Sequence, residues 1–91
     1  MAVSVGRALQ GSAGGGETGL LAGVIQDLVL ALVDLRRSAG LSQRQVALLM
    51  SISQQAVSEF ERAGGDPHLS TLIRYANAVG AHLTFRITLE Q

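Results

Sequence analysis

The stretch from Leu41 to Glu61 constrains the fold more than any other part of the chain, because it holds two short apolar periodicities with a capping residue at the head of each. Ser42 followed three residues later by Gln45 forms a capping box, in which each side chain takes up an otherwise orphaned backbone N–H, so a helix starts near Ser42. Val46, Ala47, Leu49 and Met50 then recur at helical spacing, and the small Ala47 lets a second helix approach closely. Ser51 to Ser53 breaks the period. Ser53 caps a second helix that turns Ala56, Val57 and Phe60 inward and leaves Gln54, Gln55, Ser58 and Glu59 on the opposite side.

Two adjacent glutamines at the start of a helix suit base reading. A glutamine amide donates to adenine N7 and accepts from the N6 amino group at once, and the first turn of a helix fits the DNA major groove. The order Leu41-Ser42-Gln43, Val46-Ala47, Ser53-Gln54-Gln55, Val57-Ser58 and Phe60-Glu61 resembles the helix-turn-helix of Xre-type proteins, the lambdoid phage repressors and Cro. The resemblance runs from about Leu28 to Leu89. With Leu69-Ser70-Thr71-Leu72 and Leu83-Thr84-Phe85 it is closest to the HipB and HigA kinds of antitoxin. It implies a mainly α, lambda-repressor-like DNA-binding domain of four to five helices, with a C-terminal β-strand pairing across a dimer. Residue by residue it implies DNA contacts from Gln43, Arg44, Ser53, Gln54, Gln55, Ser58 and Glu59. Two positions depart from the family pattern. Ser51 stands where a left-handed glycine is usual, at a cost of about 1 kcal/mol, and Glu59 stands where some members read a base with glutamine.

The charge balance is unusual for such a partner. Seven Arg, no Lys and seven acidic residues give a formal charge of zero, whereas nonspecific DNA affinity comes mostly from cations that displace counterions. Local clustering is then required, and Arg36, Arg37 and Arg44 flank the start of the paired helices. The absence of cysteine excludes a disulfide framework and a thiolate metal site and is compatible with a reducing cytoplasm. The expected location is cytoplasmic, at the nucleoid.

Residues 1–22 read as a flexible tail, since seven of the eleven glycines lie in the first 23 positions and little apolar surface offsets the entropy of ordering them. A secretion signal does not fit, with Arg7 a lone basic residue, and the apolar run from Leu28 to Val33 is far too short to cross a bilayer. Residues 23–91 form the domain. A first helix is expected from Leu20 or Val24 to Ser38, closed by Gly40, with Ile25, Leu28, Leu32, Leu35 and Ala39 facing the core. Val24, Val29, Leu30 and Val33 add a second apolar strip, to be covered either by the core or by a partner chain. Gly64-Gly65-Asp66-Pro67 marks a loop, and a last helix runs from Leu69 to Val79 with Leu69, Leu72, Ile73, Ala76 and Val79 inward and Arg74 and Tyr75 outward. His68, Ser70 and Thr71 at its start are either caps or phosphate donors.

From Ala81 to Leu89 the period changes to strict alternation, the mark of a half-buried strand. No other segment alternates, and a lone strand leaves unpaired N–H and C=O groups. The expected partner is the same strand of a second copy, with Leu83, Phe85, Ile87 and Leu89 as the homodimer interface laid on the helices.

Neither catalysis nor a metal is indicated, because His68 and His82 stand alone and no phosphate loop precedes a helix; no cofactor is expected. The expected function is that of a sequence-specific transcriptional repressor that binds double-stranded DNA at an inverted-repeat operator. The resemblance further implies the antitoxin and autoregulator of a toxin-antitoxin module, with a cognate toxin as partner. Alternatives are a free-standing or phage-type regulator, or a helix-turn-helix domain used only for protein interaction.

Overall fold

The computed structural model describes residues 2–3, 17–62, 65–87 and 89. Among them the chain runs β1 (Ala2–Val3), α1 (Glu17–Ser38), α2 (Gln43–Met50), α3 (Gln54–Glu61), α4 (Leu69–Ala78) and β2 (His82–Leu83). Helix α1 begins earlier than the apolar stripe indicated. The tail expected over 1–22 lies outside the described residues, apart from β1 and the first turns of α1.

Helix boundaries follow from local chemistry. Gly40 at φ 73° ends α1, and its left-handed turn brings the Leu41 N–H back to the Arg36 carbonyl at 3.1 Å. The capping box forms as expected. Ser42 Oγ accepts from the Gln45 N–H at 3.0 Å, and Gln45 Oε1 accepts from the Ser42 N–H at 2.8 Å. Ser51 adopts the left-handed conformation, φ 57° and ψ 43°, that its place in the turn demands, and the Ile52 N–H closes on the Ala47 carbonyl. Ser53 Oγ accepts from the Ala56 N–H at 3.0 Å and starts α3. Gly80, at φ 81°, stops α4. His68 precedes α4 without a side-chain cap, its carbonyl alone accepting from Thr71 and Leu72.

The core joins all four helices through Leu28, Leu32, Val46, Val57, Leu72 and Tyr75 among others. Of the second apolar strip on α1, Val29 and Val33 are buried in the chain's own core and Val24 nearly so, which leaves Leu30, 48 % exposed, as its open member. Three inward assignments are corrected: Ala39, which lies just past the end of α1 and is exposed, and Leu69 and Ile73 on α4. Leu69 and Ile73 are exposed, as is Leu49 on α2, since on helices of eight and ten residues the core covers a narrower arc than the apolar residues span. Tyr75, expected outside, has no exposed surface; its ring stacks on Phe60 with centroids 4.7 Å apart, and its hydroxyl has a buried partner.

The terminal strand is present but short within this chain. β2 covers only His82–Leu83, and it pairs in parallel with Ala2–Val3, so it has a neighbour within its own chain. Within the single chain residues 84–87 have no neighbouring strand among the described residues. Leu83 packs against the core, whereas Phe85, Ile87 and Leu89 stand 46 %, 97 % and 85 % exposed.

Candidate nucleic-acid interface

The capped turn between α2 and α3 sets the first turn of α3 on the surface. Gln54, Gln55 and Glu59 are exposed there, with Ser58 half-buried beside them, while Val57 on the opposite side is fully buried and anchors the helix. Ser53 sits at the head of the same face with its hydroxyl committed to the cap. Along that face Gln55 Nε2 donates to Glu59 Oε1 at 3.4 Å, one helical turn on. Arg44, in the first turn of α2, is exposed.

Besides the buried Val57, one carboxylate ties α3 to the other helices. Glu61, at the end of α3, accepts from Arg36 Nε of α1 at 2.8 Å and Arg36 Nη2 at 3.1 Å, from Gln43 Nε2 of α2 at 3.0 Å, and from the Tyr75 hydroxyl of α4 at 2.6 Å. All four helices thus meet on a side chain that is 7 % exposed. Arg36 Nη1 also donates to the Leu41 carbonyl at 2.8 Å, tying the turn before α2 to the same point. Burial pushes the Glu61 carboxyl up, but the bonds from Tyr75, Arg36 and Gln43 together outweigh it and leave the group below the ordinary range. Arg36 is raised, first by its bond to Glu61. Burial, and then the bond to Glu61, push the Tyr75 hydroxyl up and keep it a donor. Arg74 donates to the Met50 carbonyl at the end of α2 and so braces the turn from α4.

This arrangement changes the expected basic cluster. Arg36 is buried and paired, so Arg37 and Arg44 are the exposed members. Gln43 is half-buried with its amide turned toward Glu61, and its exposed chemistry is the backbone at the start of α2. Sequence reasoning missed Arg36, Glu61 and Tyr75 as the frame of the site, although two signals were present. Arg36 continues the inward series Leu28, Leu32 at a spacing of four, and Tyr75 falls within the series Leu72, Ala76, Val79. Each polar residue on a core-facing stripe implies a buried partner.

A family profile described as Helix-turn-helix matches residues 32–85, which takes in α2, α3 and α4 whole. The chain belongs to the Xre-type helix-turn-helix family. This helix-turn-helix domain is accordingly a DNA-binding regulator domain rather than an enzyme. Two curated relatives, named Antitoxin HigA1 in the CDC 1551 / Oshkosh and ATCC 25618 / H37Rv strains of Mycobacterium tuberculosis, are each 51 % identical to it over 63 residues. The match covers 69 % of this chain and 41 % of each relative, so the helix-turn-helix domain spans less than half of their length. No solved structure matches it. No helix among its described residues is long and apolar enough to cross a membrane.

Proposed function

We propose that the protein is a sequence-specific repressor that binds an inverted-repeat operator as a homodimer, and that it is the antitoxin and autoregulator of a toxin-antitoxin pair. The observation that carries the DNA-reading part is the pair Gln54 and Gln55, exposed together in the first turn of a helix whose other side is locked into the core. Gln54, Gln55 and Ser58 read base edges, Glu59 lies beside them on the same DNA-facing surface, and Ser53 positions them by starting the helix. Arg44 and the backbone N–H groups at the start of α2, Gln43 included, grip phosphate. The antitoxin part is supported by the identity of 51 % to proteins named HigA1. An exposed polar reading face also favours DNA over a protein partner, which calls for apolar or aromatic anchors.

A mobility shift on the DNA upstream of the gene tests the first part. The parent should retard that fragment in preference to random duplex, and Gln54→Ala should lose about 1–3 kcal/mol on the cognate site while leaving random-sequence binding unchanged. Equal losses on both DNAs would remove Gln54 from base reading. Co-purification with the product of the neighbouring gene tests the second part: a stable complex is expected, and two separately eluting proteins would leave a free-standing regulator.

A further inference from the structure

The exposed face of α3 carries one charge, and it is negative. Glu59 lies one turn beyond Gln55 and accepts a hydrogen bond from Gln55 Nε2 at 3.4 Å, with both side chains open to solvent. A carboxylate on a face that meets DNA is repelled by every phosphate, so its place in a complex is toward the base edges, where amino groups donate. Its bond to Gln55 fixes something else. A glutamine amide can present either its oxygen or its nitrogen in a given direction, and a neighbouring acceptor-only group holds the nitrogen toward itself.

We propose that Glu59 is a positioning residue that makes Gln55 a reader of adenine and rejects guanine at the same base pair. This rests on the reading of α3 as the base-reading helix. The Gln55 amide carries two N–H bonds and one carbonyl oxygen. With one N–H held by Glu59, one donor and one acceptor remain side by side. Adenine offers the complement, N7 to accept and the N6 amino group to donate. Guanine offers N7 and O6, both acceptors, and needs two donors where only one is free. The Glu59 carboxylate opposes those two acceptors a second time through its own negative charge. Glutamine at position 59 would lack that discrimination, since its amide can itself donate to guanine.

The test is selection of a bound sequence from a randomised duplex pool by the full 91-residue chain, followed by competition between adenine and guanine at each selected position. The pair contacted by Gln55 is the one whose preference disappears in Gln55→Ala. At that pair the parent should favour adenine, and Glu59→Ala should lower the adenine-to-guanine ratio by about five- to tenfold while other positions keep their preferences. Glu59→Gln should tolerate guanine as well. In the Gln55→Ala background, Glu59→Ala should change nothing further at that pair. An unchanged ratio in Glu59→Ala, or an equal effect with and without Gln55, overturns the positioning role while leaving DNA reading intact. Failure of the parent to enrich any sequence overturns the base-reading assignment of α3, and this inference with it. Both side chains are exposed, so melting temperatures of parent and variants should coincide.

Discussion

Two residues show how locally the domain is balanced. Ser51 at φ 57° accepts a left-handed conformation that costs an L-residue about 1–2 kcal/mol. Glycine removes that cost but adds roughly 0.4–1 kcal/mol of freedom to the unfolded chain. Ser51→Gly should therefore stabilise by about 0.5–1 kcal/mol, read as a rise of a few degrees in melting temperature; a fall would mean that the hydroxyl makes a compensating bond. Glu61 is the opposite case. Its carboxyl is held below the ordinary value of 4.5 in the folded chain, so the unfolded state binds the proton more readily. The stabilisation is then complete above that ordinary value and fades as pH falls through the lower folded one. Glu61→Gln strands the Arg36 guanidinium and should cost about 3–5 kcal/mol at neutral pH. Urea midpoints of parent and variant should converge below pH 4.5, and a constant gap would refute the linkage. Ser51 was legible because the family resemblance marks its turn position as left-handed, whereas the Glu61 cluster joins residues as far apart as Arg36 and Tyr75, and no spacing rule connects them.

At the scale of elements, capping predicted more than hydrophobicity did. Ser42 with Gln45, Ser53, Gly40 and Gly80 each mark a helix end where the structure has one. Apolar residues were a weaker guide on the shorter helices, as Leu49, Leu69 and Ile73 show. Short helices bury one narrow stripe, and the adjoining apolar positions then lie on the surface. The terminal segment differs, since Phe85 and Ile87 alternate as strand residues do but have no neighbouring strand among the described residues of the single chain. A helix satisfies its backbone internally, but a strand is defined by a neighbour that its own sequence does not name. In the proposed complex the element that meets DNA beside α3 is α2, whose first turn exposes Arg44. Arg44→Ala should weaken cognate and random DNA alike and lower the slope of log affinity against log salt by about one unit. A titration from low to moderate salt decides it, and an unaltered slope would take Arg44 off the phosphate backbone.

At the largest scale the proposed function requires one small domain to read a site long enough to be specific. Two copies related by a two-fold axis would present two α3 helices to successive major grooves about 34 Å apart, which makes the operator an inverted repeat. The case for the second copy no longer rests on an unpaired strand, because His82–Leu83 pairs with Ala2–Val3. It rests on the apolar residues left open near the C-terminal end of the fold, namely Phe85, Ile87 and Leu89. Phe85→Asp separates assembly from folding, since Phe85 is 46 % exposed and contributes little to the core. In a dimer that buries this face the new carboxylate is unpaired, at a cost of several kcal/mol, and the variant should sediment as a monomer while keeping its helical circular dichroism. Operator affinity should fall with it, because each half-site is then bound separately and the gain from linked binding is lost. A parent already monomeric at tens of micromolar, or a variant that stays dimeric, would reject this face, and Leu30 on α1 would become the surface to substitute next.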